Sequence, residues 1–144
     1  MLPRQLSFLS AALLAAATVS TPDPVVAQNQ PAAAAAAANP KLAGTWEGSY
    51  TTDGPSGAMT IVLKSGSPWV VTNTMAGDVP PATEPREVST DGDKIVWKQI
   101  FGEYDVTFKA SLSVDGAQLT GVLEAYQSGS LVAGGAFTLS RKPN

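Results

Sequence analysis

The 144-residue chain is expected to fold as an all-β protein, an up-and-down antiparallel meander barrel of about eight short strands. Three observations carry this expectation. Apolar and polar residues alternate through most of the region from Leu42 to Lys142, the spacing that sends successive side chains to opposite faces of a strand. Glycine-containing links of two or three residues punctuate the alternation, and links this short force sequence neighbours to pair in space. Each strand has one dry and one wet face, which suits an antiparallel sheet and not a parallel one buried on both sides. A meander of this length removes its exposed edges by closing on itself.

Residues 1–27 read as a signal peptide. Arg4 supplies the positive start, Leu6 to Ala17 the apolar stretch, and Val25-Val26-Ala27 a small-residue cleavage site. The apolar stretch is about 12 residues long against about 20 needed to span a bilayer, so no membrane insertion is expected after cleavage. The expected destination is the periplasm or the extracellular space. The chain has no cysteine, which rules out disulfide stapling and a lipid-anchored cysteine at the cleavage site. Residues 28–40, with Pro31, seven consecutive alanines and Asn39-Pro40, read as a low-complexity tether. Seven alanines fall short of the roughly 12 to 15 residues an isolated helix needs. Residues 41–144 form a single domain, since about 100 residues support one core that buries about 60 to 70% of its unfolded surface.

Taken in order, the first strand opens on Gly44-Thr45-Trp46 and places Trp46 and Tyr50 on one face. The second aligns Met59, Ile61 and Leu63, and after the Ser65-Gly66 link the third aligns Trp69, Val71 and Met75. Ala76 to Pro85 carries Pro80, Pro81 and Pro85, too long and too rich in proline for a hairpin or a helix, and is either a lid or a stiff surface loop crossing one barrel end. A short, weak strand is expected around Arg86 to Thr90. Beyond Asp91-Gly92-Asp93, a strand aligns Ile95, Trp97 and Phe101, and beyond Gly102-Glu103 the alternation is cleanest. Tyr104, Val106, Phe108, Ala110 and Leu112 share one face there, and Asp105, Thr107, Lys109 and Ser111 the other. After Asp115-Gly116, the last two strands align Leu119 with Leu123 and Phe137 with Leu139.

Gly44-x-Trp46 at the start of the first strand and Arg141 near the end of the last resemble the structural signature of lipocalins and other calycin barrels. The resemblance implies that Gly44, Trp46 and Arg141 form a clasp in which the arginine packs across the tryptophan at the closed end. Such a contact contributes about 0.5 to 2 kcal/mol. Within that superfamily, Gly44-Thr45-Trp46-Glu47-Gly48-Ser49, Leu119-Thr120-Gly121-Val122-Leu123 and the final Phe137-Thr138-Leu139-Ser140-Arg141-Lys142 look most like small barrels of uncharacterised function in secreted bacterial proteins. Similar modules accompany hydrolases as accessory domains. Avidins share a Gly-Thr-Trp opening, but where they carry a ligand-binding asparagine two residues on, this chain has Gly48, which argues against biotin.

Composition excludes several function classes. Removing residues 1–27 takes away one base, Arg4, and one acid, Asp23, so the net charge stays at −3. Lys94 and Lys98 lie among Asp91, Asp93, Glu103 and Asp105, so no basic stripe emerges for a nucleic-acid backbone. With no histidine and no cysteine, the commonest general base, the usual zinc ligands and the thiol nucleophile are missing, and no enzymatic activity is expected. Glu47, Asp105 and Glu124 fall on the outward parity and Glu103 in a turn, where carboxylates face solvent. No EF-hand spacing follows Asp91-Gly92-Asp93, so neither a metal nor another cofactor is expected.

The best candidates for a ligand-lined interior are the inward-parity residues Tyr50, Trp69, Asn73, Trp97, Gln99 and Tyr104. A neutral amide facing a dry interior costs about 1 to 3 kcal/mol unless it is hydrogen-bonded. Asn73 and Gln99 must therefore meet a ligand, a water, each other or an open rim. The expected function is binding of a small apolar or amphipathic molecule. The alternative is a solid-core structural or interaction module of the cell envelope, or an accessory-type domain.

Overall fold

The structure is a computed structural model that describes residues 36–144. The expected signal peptide at 1–27 and residues 28–35 of the tether lie outside the described residues. Among the described residues, a 3-10 turn, Pro40–Leu42, precedes eight antiparallel strands. These are β1 (Gly44–Thr52), β2 (Ser56–Lys64), β3 (Val70–Met75), β4 (Arg86–Asp91), β5 (Lys94–Phe101), β6 (Tyr104–Leu112), β7 (Gln118–Gln127) and β8 (Ser130–Arg141). They form one sheet in the order β3-β2-β1-β8-β7-β6-β5-β4, with every sequential pair bonded except β3 with β4 and with β8 returning to β1. The result is a nearly closed barrel, compatible with a calycin-type architecture, whose seam lies between β3 and β4.

The seam falls where the proline-rich segment interrupts the meander. A connection of this length cannot set hairpin register, and proline cannot donate to a ladder, so the two strands it joins do not pair. Instead the segment itself extends the wall beside β5. Ala82 bridges Phe101, Thr83 N donates to Ile100 O at 2.9 Å, and Gly102 N donates to Pro81 O at 3.1 Å. β4 is six residues long and its register with β5 shifts between Arg86 and Ser89, as expected of the weakest strand.

The two inward amides close the gap from inside. Asn73 Nδ2 donates to Gln99 Oε1 at 3.0 Å, and Gln99 Nε2 donates to Thr83 O at 2.7 Å. Gln99 is a buried polar residue within the core, 2% exposed. Gln99→Leu leaves Asn73 Nδ2 and Thr83 O without their partner and is expected to lower the unfolding free energy by about 1 to 3 kcal/mol in urea titrations. Asn73→Leu added to it should cost less than the sum of the two single changes, because it removes the Asn73 donor that the first change left without an acceptor, with only Thr83 O still unpartnered.

The interior is built as alternation requires. Ile61, Ile95, Trp97, Phe108, Leu119 and Leu139 are fully buried, and an aromatic layer crosses the middle of the barrel. Trp97 and Phe108 are partners in the β5–β6 register and stack with centroids 4.9 Å apart and planes 3° from parallel. Phe137 tilts against both at 6.5 and 6.4 Å. Its ring lies over Gly121, where a Cβ would come within 2.4 Å of it, so the glycine in β7 makes room for the third aromatic.

The end holding the chain termini of the domain is sealed. Trp46 Nε1 donates to Leu42 O at 3.0 Å, drawing the 3-10 turn across the opening. Arg141 Cζ sits 4.3 Å from the Trp46 ring centroid, and its guanidinium donates to Ala43 O at 2.9 Å, to Gly116 O and to Lys41 O. Gly44 has φ +141, and a Cβ there would lie 2.6 Å from Arg141 Nη1. The position thus requires glycine for conformation and for space. Upstream of the turn, Asn39 N donates to Gly92 O and Gly92 N to Ala36 O, while Asp91 and Asp93 accept from Ala36 N and Asn39 Nδ2. The last residues of the Ala/Pro-rich segment therefore lie along the β4–β5 turn.

Candidate functional site

The opposite end of the barrel is open. Here the links β1–β2, β5–β6 and β7–β8 converge with the segment 76–85 around a hollow of about 810 Å³, within the 300 to 1,000 Å³ range typical of ligand pockets. Its base is apolar: Phe101 from β5, Val106 and Phe108 from β6, Leu123 and Ala125 from β7. These residues are at most 9% exposed, so the hollow is a bowl resting on packed side chains, not a shaft running the length of the barrel. Phe108, stacked on Trp97, is its floor. Met75, Val79, Pro80 and Pro81 build one side and Val132 and Ala133 the facing side. Thr52, Asp53, Asp78 and Gln127 supply the polar rim.

The proline-rich segment forms one wall of this bowl and is tied at both ends. Tyr50 OH donates to Ala76 O at 2.7 Å where the segment begins, and Pro81 to Thr83 pair with β5 further on. Burial raises the Tyr50 phenol above its ordinary pKa, so the hydroxyl keeps its proton and remains a donor.

Of the residues singled out from the sequence, Tyr50 and Tyr104 line the hollow. Trp97 lies beneath the floor, fully buried. Asn73 and Gln99 are engaged with each other across the seam. Trp69 lies one residue before β3, half-buried at the sealed end against the core, because the β2–β3 link runs from Ser65 to Trp69 and is not the two-residue turn that Ser65-Gly66 suggested. Sequence parity did not point to Val79, Pro80 and Pro81, which come from irregular backbone. It did not point to Val132 and Ala133 either. They lie in the stretch Ser130 to Ala136, whose glycines and alanines carry no apolar periodicity.

The carboxylates considered for chemistry lie on the outer wall. Glu47 pairs with Lys142 at 2.7 Å, Asp105 with Arg86 at 2.7 Å and Glu124 with Lys109 at 2.9 Å, while Glu103 accepts from Gln127 Nε2 at 3.0 Å. The Lys109 ammonium, followed by the Tyr126 hydroxyl, holds Glu124 below the usual carboxylate range. Among the described residues no three acidic side chains gather as a metal site, and no helix is long and apolar enough to cross a membrane. No protein-family model matches the sequence, and no curated protein does.

Proposed function

We propose that the chain is an exported, non-enzymatic, lipocalin-like barrel that binds one small apolar or amphipathic molecule in the hollow at its open end. One observation carries the reading: about 810 Å³ of space bounded mainly by apolar side chains and opening to solvent through a polar rim. Such a site takes up apolar surface, at about 25 cal/mol for each Å² removed from water, and leaves a polar head at the mouth. The aromatic floor limits depth, so the ligand is short or enters only in part. A second reading, a structural or interaction module without a ligand, is favoured by the same floor, because Trp97, Phe108 and Phe137 fill the barrel's middle.

Titration with the neutral fluorescent probe N-phenyl-1-naphthylamine separates the two. The first reading expects saturable enhancement at one site per chain. Ala125→Phe, or Ala133→Phe higher on the wall, should weaken it about tenfold or more by filling the hollow, with far-UV circular dichroism unchanged. A linear, unsaturable response, or a saturable one indifferent to both substitutions, would favour the module.

A further inference from the structure

Charge is distributed unevenly between the two ends of the barrel. The open-end links, residues 53–55, 76–85, Gly102-Glu103 and Ser128-Gly129, contain Asp53, Asp78, Glu84 and Glu103 and neither lysine nor arginine. Among the described basic residues, five (Lys41, Lys64, Lys94, Arg141 and Lys142) belong to the sealed end, and three (Arg86, Lys98 and Lys109) are ion-paired on the outer wall. Among the described residues no cationic side chain lines the hollow, whereas Asp53 and Asp78 both do.

Of the two carboxylates lining the hollow, Asp53 is held in place by the backbone of β8. Asp53 Oδ2 accepts from Gly134 N at 3.2 Å, and Asp53 N donates back to Gly134 O at 3.2 Å, which ties that acid to β8 next to the Val132–Ala133 wall. Tyr104, 36% exposed, offers an aromatic face at the same mouth. An anionic head seated here would meet only like charge. A cationic head would meet carboxylates and an aromatic ring, over apolar walls that concentrate the field.

We infer that the hollow takes a single-chain amphiphile with a cationic head, of the alkylammonium class, and discriminates against its anionic counterpart. The inference rests on the ligand-binding reading above and adds to it the sign of the head group.

The test is calorimetric titration of the purified protein at low salt, below micelle-forming concentrations, with three probes of equal chain length. They are decyltrimethylammonium, decanoate and a neutral decyl oligo(ethylene glycol) ether. The ammonium is expected to bind about tenfold tighter than the carboxylate, with the ratio shrinking as salt screens the rim. Asp53→Asn combined with Asp78→Asn should bring the two ions within about twofold, each read relative to the neutral probe. Decanoate binding as tightly as the ammonium, or a preference that survives the double substitution, overturns the inference. Equal binding of all three probes removes the charge selectivity and leaves the hollow a binding site. Binding of none removes both.

Discussion

Trp97→Ala is expected to lower the unfolding free energy by about 3 to 5 kcal/mol, the range for deleting a large aromatic side chain from a packed core. Trp97 is fully buried and gives up both a parallel stack on Phe108 at 4.9 Å and the tilted contact with Phe137. Its neighbours cannot collapse into the space, because Phe108 and Phe137 are held by the β6–β7 and β7–β8 ladders, with Phe108 opposite Leu123 and Phe137 opposite Gly121. In a domain whose whole stability is about 5 to 15 kcal/mol, that loss is a large fraction. Urea unfolding followed by far-UV circular dichroism measures it. Trp97→Phe, which retains a ring in the stack, should cost roughly half as much or less. A Trp97→Ala loss below about 1.5 kcal/mol would mean that the barrel's middle is not packed as described.

That layer also explains which parts of the site could be read in the sequence. Alternation reports the face a side chain occupies, and it placed Tyr50, Trp97, Gln99 and Tyr104 together on the inward side. It carries no information about height along the barrel axis, which is set by the register between strands. Trp97 lies opposite Phe108 in the middle, while Tyr104 lies opposite Phe101 at the open rim. The same parity therefore covers a floor, a seam and a mouth. The cleanest alternation, from Tyr104 to Leu112, corresponds to all of β6. The largest omission is the first half of β8, where Leu131 and Val132 are adjacent and exposed and Ala133 to Ala136 are small. That half is held by its pairing with β7, with β1 joining only from Gly135 onward, a tertiary cause that leaves no trace in local pattern. The position of the seam follows from the same limit. Proline content marked 76–85 as irregular, but not that its flanking strands would be the two edges of the sheet.

Arg141→Ala is expected to cost about 2 to 4 kcal/mol, from the lost cation–π contact and the backbone carbonyls left without their donor. The residue joins elements that sequence separation keeps far apart: the 3-10 turn through Lys41 O, the start of β1 through Ala43 O and the Trp46 ring, and the β6–β7 link through Gly116 O. Those contacts need a planar fork with several donors, so Arg141→Lys should recover only a minor part of the loss, since a single ammonium cannot lie flat on the indole and reach carbonyls on opposite sides. Gly44→Ala probes the same junction from the other partner. At φ +141, with a Cβ directed 2.6 Å from Nη1, alanine must either strain the backbone or displace the guanidinium, at about 1 to 3 kcal/mol. If the clasp is one unit, Gly44→Ala in the Arg141→Ala background should cost less than in the parent, because the displaced group is already gone and only the backbone strain remains. Full additivity in urea midpoints, or an Arg141→Ala loss under about 0.5 kcal/mol, would show that the sealed end is held by the β1–β8 ladder and Trp46 burial without the arginine.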